Sequence, residues 1–284
     1  MYLNILKKDL KRKRAMNLIL LLFIILATMF VASSVNNVIN VTTALDRYFE
    51  MANVPDYFVV AMNKNLAVDI DETVRSACAV DHYETEDILY LSTENFIYED
   101  GDIVLEQGTH LVQSDIYMNY FLPDGNILET VEPGELYMAE SKADAFGIDV
   151  GDKLTIEVNG VSREFVLADK IKDALFGSGQ FTITRYIISE EDFACFLSAE
   201  NAEEYYGGTL VYLYSSNMET ALPQIKPLVD NSLLTMDKAM VKFFYIFDMI
   251  VVGILLVVSI LLIIIAFVVL RFTISFTLSE EFRE

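Results

Sequence analysis

Two stretches of the chain, 15–45 and 249–270, contain no Asp, Glu, Lys or Arg. The first carries an apolar run from Asn17 through Phe23 and Phe30 to Ala32, and the second runs from Ile250 through Val258 and Ile264 to Leu270. A helix rises about 1.5 Å per residue, so about 20 apolar residues match a hydrocarbon layer of roughly 30 Å. Lipid offers no partner to an open backbone amide, which makes a run of this kind helical if it inserts. The pattern therefore predicts transmembrane helices at 15–36 and 249–270. Between them the pattern shortens. Tyr57–Met62, Ile88–Leu91, Glu135–Ala139, Lys153–Val158, Val161–Ala168, Thr182–Ile188 and Leu210–Tyr214 read as strands. Helices are expected at Asp71–Ala77, at Lys142–Phe146 with Ser141 as cap and Gly147 as stop, at Glu190–Leu197, and at Met218–Val229 with interruptions at Pro223 and Pro227. Asn159-Gly160 carries the signature of a tight I′ hairpin, and Asp100-Gly101 is expected to close another over 96–105. Val38, Val41, Leu45 and Phe49 fall at helical spacing, and from Asp237 the chain reads as helix towards the second apolar run.

The expected fold class is α+β: a mixed extracellular domain with stalk helices, flanked by two transmembrane α-helices. Its expected parts are a basic amphipathic segment at 1–14, a membrane helix at 15–36, a stalk at 37–56, the domain at 57–236, a second stalk at 237–248, a second membrane helix at 249–270 and a cytoplasmic segment at 271–284. Lys7, Lys8, Lys11, Arg12, Lys13 and Arg14 precede the first apolar run against one acid, Asp9. That bias places the N-terminus in the cytoplasm, and two crossings return the C-terminus there. A cleavable signal peptide competes for the first run, with small residues at Ala32, Ser33 and Ser34, but the apolar core is long for that role.

Charge sharpens this picture. The chain has 42 acids against 20 bases, a net charge of -22. Asp9, Glu280, Glu281 and Glu284 are the acids outside 15–270, so 38 acids and 12 bases fall within it. An extracellular domain this acidic repels nucleic acid and would concentrate a cationic ligand. Cys78 and Cys195 are far apart in sequence and leave a disulfide open, and two histidines build no recognisable zinc spacing.

Chemistry is harder to find. Glu84, Glu86, Asp87 and the acids at 99–102 lack the spacing of an EF-hand and read as solvated loops. Gly177-Ser-Gly179 has no following Lys-Ser/Thr and reads as a flexible loop in place of a phosphate cradle. Tyr117, Tyr120, Tyr205, Tyr206, Tyr212 and Tyr214 suit either a binding face or a half-buried strand surface. No catalytic, cofactor or metal-ligating constellation emerges. Leu3, Leu6 and Leu10 share one helical face among bases, fit for the membrane surface or for a cytoplasmic partner.

The ordered combination of these pieces resembles the first half of an ABC transporter permease of the FtsX/MacB type. The stretch from Gly134 through Gly147, Gly151 and Asp152 to Ile156 is similar to that family's strand–helix–"GD" hairpin element, and Val161–Lys170 to the strand that closes it. The segment from Phe272 to Glu284 resembles the run into the family's cytoplasmic coupling region. The resemblance implies a non-enzymatic membrane subunit without cofactor, a cytoplasmic ABC ATPase as partner, and a homodimer or heterodimer of permeases in the lipid membrane. Coupling to the ATPase would fall to Leu3, Leu6, Leu10, Glu280, Glu281, Phe282, Arg283 and Glu284. Peptide, antibiotic or lipid would be handled outside the membrane. The family carries further membrane helices beyond this point, which implies either a fragment or a split gene. A two-span receptor or anchor with an extracellular ligand-binding domain is the alternative.

Overall fold

The computed structural model describes residues 43–63, 68–98 and 108–248, with scattered positions from 250 to 264. The chain divides into two compact units, 1–48 and 49–284. Of the first, residues 43–48 are described and are helical.

The second unit is built on a single mixed sheet of ten strands. In chain order they are β1 (Tyr57–Met62), β2 (His82–Ser92), β3 (Phe96–Tyr98), β4 (Thr109–Gln113), β5 (Glu135–Ala139), β6 (Lys153–Val158), β7 (Val161–Ile171), β8 (Ile183–Ile188), β9 (Gly207–Tyr214) and β10 (Leu234–Asp237). Their spatial order is β10-β1-β9-β2-β4-β8-β5-β7-β6-β3. The pairs β4–β8 and β5–β7 are parallel, and the other neighbours run antiparallel. The helices are α1 (Ile70–Ser76), α2 (Glu140–Phe146), α3 (Glu190–Leu197), α4 (Ala202–Tyr205), α5 (Met218–Ala221), α6 (Lys226–Asp230) and α7 at 238–248.

Local chemistry accounts for much of this. β6 and β7 turn at Asn159 and Gly160, with φ of 46° and 84°, a conformation that Asn and Gly tolerate where other residues resist it. α2 stops at Gly147, whose φ of 71° lets its amide reach back to the last carbonyls. Ser141 does not cap α2; its hydroxyl donates to the Gly177 carbonyl at 2.5 Å. In α3, Ser189 does cap, accepting from the Asp192 amide at 3.1 Å.

Alternation then sorts the core. Leu136, Met138, Leu154, Ile156, Leu167 and Ile188 meet Phe193 and Phe196 of α3 in one apolar cluster. At the other end, Val59, Ala61, Val211 and Leu213 are covered by Val74 of α1 and by Ile225 and Leu228. β1 and β8 are buried along their whole length, as strands covered on both faces must be.

The expected flanks are corrected. Among the described residues no helix is long and apolar enough to cross a membrane, and the fold is the ten-stranded mixed sheet with its helices. The stretch 238–248 of α7 is described without a break, and helical positions recur at 250, 253, 254, 257, 260, 261 and 264. It also carries Lys238, Lys242 and Asp248. The expected span at 15–36 lies outside the described residues, as does most of 249–270. Two further expectations shift. Asp237, where helix was expected to begin, is the last residue of β10, and the helix starts at 238. Met218–Val229 is interrupted before Pro223, as expected, but Pro227 sits in the first turn of α6 and does not break it. The hairpin expected at 96–105 falls partly outside the described residues, which resume at Gly108.

Candidate functional site

A charge sits in the middle of the sheet. Arg185 occupies the third position of β8, where every side chain is buried, and is itself 1% exposed. A lone buried guanidinium is very costly, so the surrounding residues must answer it. Asp173 lies 3.4 Å from Arg185 Nε, and the Tyr120 hydroxyl accepts from Nη1. The guanidinium carbon lies 4.6 Å from the Phe176 ring centre and 5.4 Å from that of Tyr120, within cation–π range. Burial opposes the charge, but Asp173, Tyr120, Tyr212 and Glu86 outweigh it and hold Arg185 protonated.

Glu86 completes the group from β2. It is 1% exposed and accepts from the Tyr117 amide at 2.8 Å and from the Tyr212 hydroxyl. Burial pushes its carboxyl above the usual range, while Arg185 and the two hydrogen bonds pull it down. The acids at 84–87 are thus a strand, β2, and Glu86 lies inside the protein, not in a solvated loop. Gln113 Oε1, Asp173 Oδ2 and Arg185 Nε and Nη2 find no hydrogen-bond partner among the described residues. These are the kind of buried polar atoms that internal water satisfies.

From this centre the contacts lead to α7. Asp173 Oδ1 accepts from the Leu175 and Phe176 amides at 2.8 and 3.1 Å, bending the chain into a turn. The Asp173 carbonyl accepts from the Gly177 amide at 3.0 Å and from the Tyr245 hydroxyl of α7. Position 177 must be glycine, because a Cβ there would press on the Asp173 carbonyl and lie 2.9 Å from the Tyr245 oxygen. Phe176 meets Phe181 edge-on at 5.9 Å, and Phe181 meets Phe244 of α7 at 4.9 Å. Asp248 closes the line. Its carboxylate accepts from the Ser178 hydroxyl at 2.7 Å, the Gly179 amide at 3.1 Å and the Gln180 side-chain amide at 2.8 Å.

Four of the six tyrosines singled out in the sequence lie near Glu86 and Arg185. Tyr117 stacks on Tyr212 at 5.4 Å and meets Tyr214 at 6.4 Å, while Tyr120 belongs to the Arg185 group. Tyr205 is exposed, and Tyr206 bonds instead to Asn159. The loop at 177–179, which lacked a phosphate-binding signature, receives a carboxylate of its own chain. Cys78 and Cys195 are both free thiols. Leu3, Leu6, Leu10, Glu280, Glu281, Phe282, Arg283 and Glu284 lie outside the described residues. Arg185, Asp173 and Asp248 escaped the sequence reading. The signal for Arg185 was present: one arginine inside the apolar run Ile183–Ile188.

No family model and no curated protein matches the chain. Among solved structures, a Bacillus anthracis protein provisionally named a lipoprotein is similar over 63% of this chain and 95% of its own, at 8% identity and a TM-score of 0.37. A domain of a Porphyromonas gingivalis protein provisionally named a permease is similar over 60% of this chain and 78% of that domain, at 12% identity and a TM-score of 0.29. Likenesses this distant carry neither activity nor ligand to this chain.

Proposed function

We propose that the chain is part of a permease subunit of an ABC transporter of the FtsX/MacB type, with its sheet domain working outside the cytoplasm. The observation that carries this reading is the stretch 134–172. In sequence it is similar to that family's strand–helix–"GD" hairpin. In the structure it runs as β5, α2 with its glycine stop, a turn at Gly151-Asp152, and the β6–β7 hairpin. Under this reading the subunit performs no catalysis of its own. A separate cytoplasmic ATPase hydrolyses ATP, and its motion is delivered to the sheet domain, which handles peptide, antibiotic or lipid. The contacts from α7 through Tyr245 and Phe244 to the Arg185 group are a route by which a displaced helix would act on the sheet.

Co-purification is the test. The full chain, co-expressed with the ABC ATPases of its own genome, is expected to retain one of them. Charge reversal at Glu281 and Arg283 is expected to weaken the association. Failure of the unmodified chain to hold any of them would remove the reading.

A further inference from the structure

We infer that Asp248 and the loop 178–180 form a releasable clasp, in which a receptor prebuilt on the sheet holds α7 by one carboxylate. The inference goes beyond the permease reading and does not depend on it.

The receptor is held together without α7. Asp173 bonds the amides at 175, 176 and 177. The Gly177 carbonyl is held by Ser141 of α2. Ser178 folds the loop onto itself, accepting from the Gln180 amide at 3.2 Å through its hydroxyl and from the Phe181 amide at 3.2 Å through its carbonyl. That fold sets the Ser178 hydroxyl and the Gly179 amide side by side toward one carboxylate oxygen, and the Gln180 side chain reaches the other. Their target is an anion, since an oriented amide, hydroxyl and side-chain amide are strongest toward a charged acceptor.

α7 is anchored at its start by Lys238, whose amide donates to the Asp56 carbonyl at 2.9 Å and whose ammonium lies 3.1 Å from the Val54 carbonyl and 3.9 Å from the Asp56 carboxylate. Beyond that turn Val241 is the one buried residue among those described in 239–248, while Met240, Phe243 and Phe247 are exposed. Its remaining described attachments include the Tyr245 hydroxyl, the Tyr245 ring against Phe49 at 5.7 Å and the Phe244 ring against Phe181. With so little apolar area committed beyond the first turn, the carboxylate decides whether the stretch 242–248 is seated. Leaving costs the sheet little, because the Asp173 carbonyl keeps Gly177 as a donor when Tyr245 departs. Opening the clasp therefore frees the stretch 242–248 and leaves the sheet folded.

Hydrogen exchange on the full chain tests this. Asp248→Ala is expected to speed exchange of the amides at 242–248 by about tenfold or more, with β1, β8 and β9 unchanged. Removing the donors with Ser178→Ala and Gln180→Ala is expected to do the same, and adding Asp248→Ala to that pair is expected to add little. Unchanged exchange in α7, or a rise shared equally by α7 and the central strands, overturns the clasp.

Discussion

α3 and α7 differ in how they are fastened. α3 sinks Phe193 and Phe196 into the larger apolar cluster and buries the Asp192 carboxylate as well. That carboxylate bonds Arg163 at 2.6 Å, the Gly134 amide at 2.8 Å and the Ser189 hydroxyl at 2.7 Å. α7 presents its carboxylate to a similar number of donors but commits one buried side chain beside them. Each carboxylate takes three donors, but α3 has a guanidinium among them and more apolar area behind them, so α3 can leave only by unfolding the core, whereas the stretch 242–248 of α7 can leave alone.

Substitutions can break this contrast at either end. The largest effect is expected at the sheet centre. Arg185→Met strands Asp173 and Glu86 in the interior and should cost about 3–5 kcal/mol, read as a drop in the urea midpoint. Asp192→Ala should cost about 2–3 kcal/mol of global stability, because it orphans the Gly134 amide and Arg163 together. If that variant instead loosened α3 alone, the distinction between the two helices would fail.

His110 gives a pH handle on the core. It is buried between Tyr186 and Thr93, 3.2 Å from each hydroxyl, and burial lowers its pKa to about 4. Between about 4 and 6.5 the unfolded imidazole binds a proton that the folded one refuses, so this contribution is complete above 6.5 and lost as pH falls. Stability at pH 5 should lie about 2 kcal/mol below that at pH 7 through this group alone. Comparing wild type with His110→Gln at the two pH values isolates it, and equal pH dependence in both chains would remove the assignment. The smallest global effect is expected at the clasp. Asp248→Ala should move the urea midpoint by under about 1 kcal/mol equivalent while exposing α7 locally.

The features legible in the sequence are those whose causes are local. The hairpin at Asn159-Gly160, the glycine stop after α2, α3, and β1 and β5 follow from turn chemistry and alternation. What escaped depends on partners far along the chain. Asp237 looks like the start of a helix and instead ends a strand, because β1 offers an edge to 234–237. Glu86 looks solvated among its acidic neighbours and is buried because Tyr212 and Arg185 face it. Ser141 looks like a cap, yet its hydroxyl is drawn away to Gly177. Asp248 marks the edge of an apolar run, and nothing near it in sequence announces the loop about 70 positions earlier that receives it.

The partners of β1 have a consequence for synthesis. Residues 57–62 hydrogen-bond to 208–213 on one side and to 234–237 on the other, so neither neighbour exists while the ribosome is still making the first two thirds of the chain. An entirely apolar strand, Tyr-Phe-Val-Val-Ala-Met, must therefore wait unpaired during translation. Long-range pairing of this kind slows assembly and leaves a sticky segment open to wrong association. A ribosome stalled before residue 207 would hold β1 accessible to a chaperone, and release past 237 would withdraw it.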